Sequence, residues 1–136
     1  MKHSGFRTID FKGLYTIMID LKQLTEIHPI YCYPKGDTVS FEAIEKEIRK
    51  IADEFGIPII IDTDKINSGS IIAPVIEDCL IIYHPEHRSD YRNFVIRISR
   101  EGDTAFIGKF SLGDAGHDEE KKYFKVLLAV FEFLKC

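Results

Sequence analysis

The last nineteen residues of the chain, Asp118 to Cys136, constrain the fold more than any other stretch. If the segment is helical, with about 100° between successive residues, its polar side chains fall on one narrow arc. The remaining arc of about 220° is apolar, about twice the width of the apolar stripe on an ordinary surface helix. We therefore expect a strongly apolar helix near residues 117–135 that is covered on two sides, either by its own chain or by a second copy.

Three large side chains of this helix make cover necessary: Phe124, Leu128 and Phe131. Leaving them in water would forgo roughly 1.5–3 kcal/mol each, a large share of a domain's total stability of about 5–15 kcal/mol. Cover from a second copy would make the protein a homo-oligomer, most simply a dimer through the C-terminal helix. We accordingly predict that these three residues bind a partner.

The length, composition and net charge of the chain are those of one ordinary globular domain spanning residues 1–136. The chain is 45% hydrophobic and 29% charged, and its formal net charge of −4 gives no general attraction to nucleic acid or to an anionic membrane. No apolar run reaches the roughly 20 residues of a membrane span, and the first residues lack the apolar block of a secretory signal. Three widely spaced cysteines suggest reduced thiols. These features predict a cytoplasmic protein.

The clearest helix is predicted near residues 40–55. Ser40 is placed to cap its amino end, and Gly56 followed by Pro58 is a typical end signal. The apolar positions recur at helical spacing and form one stripe, which predicts a helix lying on a sheet. These positions are Phe41, Ile44, Ile48, Ile51 and Phe55.

Residues 6–28 fit two patterns. Alternating apolar residues on either side of Lys12-Gly13 indicate two strands, whereas the leucines of the same stretch also fall at helical spacing. We favour a strand pair followed by a short helix from Asp20, because Asp20 and Gln23 have the spacing of a capping box. Proline at position 29 disfavours further helix, and a short extended piece follows at residues 30–33.

The remainder of the chain is predicted to be mainly hairpin-linked strands. Glu101-Gly102-Asp103 has the composition of a three-residue hairpin loop between the last two strands. Together with the helices, this order predicts an α+β domain with a mostly antiparallel sheet of about five to seven strands. The expected pieces are strands at residues 57–61, 71–75, 79–83, 94–99 and 105–112, with polar loops at 62–69 and 84–90.

Asp62 and Asp64 form the sharpest chemical pattern, because a carboxylate pair at the end of a buried strand can share a hard divalent cation. The surrounding fragment IIIDTDK resembles the opening motif of haloacid-dehalogenase-type phosphatases over seven residues. That family requires a parallel doubly wound sheet, which a chain this short and this antiparallel does not supply. The alternative reading is that both carboxylates cap turns.

His84 and His87 add metal-ligand types in the next loop, although Pro85 excludes the helical spacing of a zinc-binding HExxH motif. An alternative function therefore combines four residues in a metal-dependent hydrolase or phosphotransferase: Asp62, Asp64, His84 and His87. Only under that alternative do we expect a divalent metal as cofactor.

A second cluster is rich in arginine and lies around the strand that follows the histidine loop. Arginine and tyrosine are enriched at protein interfaces, so this cluster predicts a patch for a protein or a small anionic ligand. The cluster contains four arginines: Arg88, Arg92, Arg97 and Arg100. Four arginines in an acidic chain are a weak signal for nucleic-acid binding, and we do not expect nucleic acid as a partner. The predicted partner-binding residues are Arg88, Tyr91, Arg92 and Arg97.

No catalytic spacing emerges elsewhere in the chain. The leading hypothesis is a small non-catalytic cytoplasmic domain, without a cofactor, that acts through self-association and binds a protein or a small ligand. The metal-dependent enzyme is the alternative hypothesis.

Overall fold

A computed structural model describes residues 6–9, 15–70 and 72–132. Within these residues, seven strands and two helices form an α+β fold, which confirms the predicted fold class. The strands are β1 (Phe6–Ile9), β2 (Tyr15–Asp20), β3 (Leu24–Tyr33), β4 (Ile60–Asn67), β5 (Ile76–Tyr83), β6 (Asn93–Glu101) and β7 (Thr104–Leu112), and the helices are α1 (Phe41–Phe55) and α2 (Asp118–Glu132).

The sheet has the order β1-β2-β4-β5-β6-β7-β3 and is antiparallel except where β2 runs parallel to β4. A three-residue 3-10 turn, Leu21–Gln23, joins β2 to β3, although five inter-strand steps separate them. Five steps in a flat sheet measure about 24 Å, whereas a connection of this length reaches at most about 14 Å. The sheet must therefore curl until β3 approaches β2.

The curl divides the buried residues into two clusters on opposite faces of the sheet. Both helices pack on the outer face, where Ile48, Leu80 and Phe94 are among the most buried side chains. The inner face has its own cluster, to which neither helix contributes, so the curl of the sheet buries it. Members of the inner cluster include Ile19, Ile66, Cys79, Val95 and Leu112.

Helix α1 matches its prediction closely. The Ser40 side chain accepts a hydrogen bond from the Ala43 N–H (3.1 Å), and Gly56 ends the helix in the left-handed conformation with φ of 67°. Ile44, Ile48 and Ile51 are buried against the sheet. Local capping and one apolar stripe were sufficient to define this element.

The C-terminal helix α2 is present, but its predicted strongly apolar circumference is not confirmed. Its buried residues form one stripe that includes Phe124, Leu127 and Phe131, while Val126 is exposed to solvent. The ring of Phe94 on β6 stacks on Phe124 with 4.6 Å between centroids and meets Phe131 edge-on at 4.1 Å. The sheet of the same chain therefore covers Phe124 and Phe131, which is one of the two alternatives expected from the sequence.

Three predictions of local structure require correction. The short helix expected from Asp20 is only the 3-10 turn, capped by the Asp20 side chain, and the chain then continues as β3. The polar loop expected at residues 62–69 is largely strand, because β4 extends to Asn67 through Asp62 and Asp64. The strand expected at residues 71–75 is loop at residues 72–75. The Lys12-Gly13 turn and Ile71 lie outside the described residues.

Neither described helix has the length and apolar character needed to cross a membrane.

Candidate functional site

The four predicted metal ligands do not converge. Asp62 and Asp64 pair with Ile81 and Cys79 and so lie on the inner face of the sheet. Successive side chains of a strand point to opposite faces, so His84, which follows Tyr83 at the end of β5, points to the outer face. There its ring contacts Tyr123 of α2, with 4.8 Å between ring centroids. Throughout the described ranges, no group of three or more histidine, cysteine or acidic side chains could hold a metal ion.

Asp62 instead belongs to a hydrogen-bonded group that links β4, β5 and the loop after β5. The Tyr83 hydroxyl donates to Asp62 Oδ2 (2.5 Å), and Arg88 Nη1 donates to the same hydroxyl oxygen (3.2 Å). Burial and the hydrogen bond to Asp62 raise the pKa of Tyr83, so the phenol stays protonated. The Arg88 guanidinium lies over the Tyr83 ring, 4.3 Å from its centroid. This group fixes the start of the β5–β6 loop.

An aromatic cluster fills the outer side of the same loop. His87 stacks on Tyr91 with ring centroids 4.0 Å apart, and its Nδ1 lies 3.1 Å from Asp90 Oδ2. His84 packs edge-on against His87, and its Nδ1 accepts a hydrogen bond from the Glu86 N–H (3.0 Å). Burial, followed by the neighbouring His87, lowers the pKa of His84. The neutral imidazole of His84 therefore holds the loop in this conformation.

The predicted arginine patch is largely neutralised within the chain. Arg88 lies 3.8 Å from Asp62, and Arg97 Nε donates to Glu77 at 2.8 Å. That hydrogen bond lowers the pKa of Glu77, which keeps its carboxylate charged. Arg92 contacts Glu120 of α2. Each of these arginines has an acidic partner, so they do not form an uncompensated positive surface.

Two of the predicted partner-binding residues are inaccessible to a partner in this fold. Phe131 is 1% exposed and Phe124 is also buried, since both project from α2 onto Phe94 of β6. Leu128 is half-buried and packs against the same outer core. The prediction that Phe124 and Phe131 bind a second copy therefore requires correction, because the sheet of the same chain covers both rings.

The sequence analysis missed an apolar surface at the turn between β4 and β5. We call the described residues of this turn, 68–70 and 72–76, the β4–β5 tip. Ile72 is 95% exposed, Val75 is 54% exposed and Ile76 is 47% exposed. The signal was present in the sequence, because the turn-forming residues from Asn67 to Ser70 stand directly before an apolar run. The sequence pattern instead predicts a strand at residues 71–75.

The backbone of the β4–β5 tip is held by a dense set of hydrogen bonds. The Asn67 side-chain oxygen accepts from the N–H groups of Gly69 (2.9 Å) and Val75 (3.1 Å). The Ala73 N–H donates to Ser70 Oγ (3.0 Å), and the Ser70 N–H donates to the Ala73 carbonyl (3.1 Å). A Cβ at Gly69 would lie 2.3 Å from that carbonyl oxygen, so only glycine fits.

Comparison with protein-family models, with curated proteins and with solved structures finds no match to this chain. The geometry of its own residues therefore carries the functional argument.

Proposed function

We propose that this chain is a non-catalytic cytoplasmic domain that associates with a second copy of itself through the β4–β5 tip. The tip carries the proposal because it exposes three branched aliphatic side chains, Ile72, Val75 and Ile76, on one short turn. Burying an exposed aliphatic side chain of this size contributes roughly 1.5–3 kcal/mol. The same surface also suits an apolar pocket on a different protein.

The fixed backbone of the tip favours this role. Ordering a flexible loop on association costs about 1–2 kcal/mol per residue, and hydrogen bonds to the side chains of Asn67 and Ser70 already hold Gly69 and Ala73 in place. A preordered apolar loop loses less entropy on binding than a mobile one would. The exposed side chains are therefore presented in a conformation ready for contact.

The expected association is weak. A turn of this size buries much less than the roughly 800 Å² per partner found in stable interfaces, so the dimer should form only at high protein concentration. Non-catalytic action is favoured because Asp62 and His84 lie on opposite faces of the sheet. A cytoplasmic location is favoured by Cys32, an exposed free thiol suited to a reducing compartment.

Sedimentation equilibrium between about 5 and 500 µM protein, a range set by micromolar-to-millimolar affinities, tests the proposal. We expect the weight-average mass of the wild-type chain to rise with concentration, and that of Ile72→Ser to stay at the monomer value. The matched control is Val126→Ser, which removes an exposed aliphatic residue of α2 instead and should associate like wild type.

Two results would overturn the proposal. A wild-type chain that is monomeric over the whole range has no self-association to explain. Loss of association in Val126→Ser, with association retained in Ile72→Ser, would place the interface on α2.

A further inference from the structure

Arg100 differs from the other arginines around β6 because its hydrogen bonds to described residues go to backbone carbonyls and not to a carboxylate. Its Nη1 donates to the Gly36 carbonyl (2.7 Å), and its Nη2 donates to the Val39 carbonyl. Among the side chains that the structure describes, no carboxylate lies within ion-pair distance of Arg100, whereas Arg88, Arg92 and Arg97 each have one. The two described acceptors of the positively charged Arg100 guanidinium are both neutral carbonyl oxygens.

This charge lies beside a cavity at the β6–β7 hairpin. The cavity measures about 380 Å³, and the described residues that line it include Lys35, Arg100, Gly102 and Asp103. Its volume falls in the range of roughly 300–1,000 Å³ that is typical of small-ligand pockets. Of these four described residues, two carry a positive side chain and one carries a negative side chain.

The backbone around the cavity is fixed. The Gly36 N–H donates to the Asp103 carbonyl (2.9 Å), which ties the segment before α1 to the hairpin. A Cβ at Gly36 would lie 2.4 Å from the Ala105 Cβ, so the two segments can approach this closely only with glycine at position 36. Because two carbonyls hold Arg100 from one side, its guanidinium is oriented before any ligand arrives.

From this arrangement we infer that the cavity binds a small oxyanion, a carboxylate or a phosphate group, through Arg100 and Lys35. An arginine has five N–H donors in a planar fork that matches such groups, and the two described acceptors leave donors available. Lys35 adds a second positive charge. The negative charge of Asp103 repels an anion in the cavity. This repulsion limits the affinity and disfavours highly charged ligands. The site is separate from the β4–β5 tip and does not depend on the proposed self-association.

Nuclear magnetic resonance titrations of the ¹⁵N-labelled chain test the inference, with sodium phosphate and sodium acetate as separate probes. Sodium chloride keeps the ionic strength constant and also serves as the titration control. We expect saturable shifts of the Gly36 and Gly102 amides and of the Arg100 Nε–H resonance. Saturation by one probe alone identifies the preferred group, and saturation by both shows that the site accepts either.

Two substitutions of opposite sign sharpen the test. Lys35→Gln should weaken binding roughly two- to five-fold, the size of effect typical of exposed charge pairs, and Asp103→Asn should strengthen it by a similar factor. Lys65→Gln is the control, because Lys65 pairs with Asp78 on β5 and does not line the cavity. All three replaced side chains are exposed, so the fold should be unaffected.

The inference is overturned if the shifts stay linear in both probes, or if they saturate equally with chloride. It is also overturned if Lys35→Gln and Asp103→Asn leave the affinity of both probes unchanged while Lys65→Gln behaves as wild type.

Discussion

Arg92 on the β5–β6 loop surrounds the carboxylate of Glu120 on α2. Arg92 Nε donates to Oε2 at 2.9 Å, Nη2 donates to Oε1 at 3.0 Å, and the Arg92 backbone N–H adds a third hydrogen bond to Oε2 at 3.1 Å. The Gly116 N–H donates to Oε1 as well (3.0 Å). Glu120 is 1% exposed, so this ion pair joins helix, loop and sheet inside the protein.

Removing the Glu120 carboxylate should therefore be costly. Glu120→Ala leaves Arg92 without its acidic partner, and breaking a buried pair in this way costs about 3–5 kcal/mol. Urea denaturation measures the change in the free energy of unfolding. The control is Glu45→Ala, which breaks the exposed Glu45–Arg49 pair of α1 and should cost only about 0.3–0.5 kcal/mol. Equal costs for the two variants would contradict the role assigned to Glu120.

The packing of α2 predicts a contrast between two of its apolar residues. Phe131→Ala empties a site against Phe94 and should lower the free energy of unfolding by about 3–5 kcal/mol. Val126→Ala removes a solvent-exposed side chain and should change stability by less than about 0.5 kcal/mol. Thermal or urea unfolding of dilute protein gives both values. A small cost at Phe131 would mean that α2 does not pack on β6 as described.

The two described cysteines should differ sharply in reactivity. Burial raises the pKa of the Cys79 thiol to about 12, and the carboxylates of Asp64 and Asp78 act in the same direction. Cys32 is exposed on β3. In a Cys136→Ser background, we expect the Cys32 thiol to react rapidly with a disulfide reagent. The Cys79 thiol should react only after the protein is unfolded by guanidinium. Rapid reaction of both thiols in the native protein would contradict the closed inner face.

Stability should fall in mild acid because of His84. Its pKa in the folded protein lies below the usual value near 6.5, so the unfolded chain binds the proton more readily. Protonation also turns Nδ1 into a donor and removes the hydrogen bond from the Glu86 N–H. The neutral His84 therefore contributes its full stabilisation of the fold above pH 6.5, and this contribution declines as the pH falls through the pKa of His84 in the folded protein.

The measurement is urea denaturation at a series of pH values between about 8 and 5, a window that spans the usual histidine pKa. His84→Gln should show a shallower decline than wild type. A decline of equal size in this variant would assign the effect to another group.

The sequence predicted those elements whose signals are local. Helix α1 has its stripe, its Ser40 cap and its Gly56 end within one short segment, and the Gly102 hairpin has the composition that its turn requires. The extension of β4 was missed because Asp62 and Asp64 resemble loop residues in isolation. In the fold, Asp62 on β4 accepts a hydrogen bond from the Tyr83 hydroxyl on β5, a contact that only strand register brings about.

The cover of α2 could not be predicted for a related reason. Whether one sheet suffices for Phe124 and Phe131 depends on how far that sheet curls. The curl follows because three residues join β2, the second strand in the sheet order, to β3, the last. No local pattern records this constraint. The acidic partners of the arginines were hidden likewise, since Glu120 is 28 residues from Arg92 and Glu77 is 20 residues from Arg97.

The central claim, that copies of this chain meet through the β4–β5 tip, is tested most directly by the isoleucine δ1-methyl resonances at increasing protein concentration. Between about 5 and 500 µM, the range of weak association, the methyl groups of Ile72 and Ile76 should shift progressively, while that of the buried Ile48 stays fixed. Unchanged Ile72 and Ile76 methyl resonances over the whole range would contradict the account.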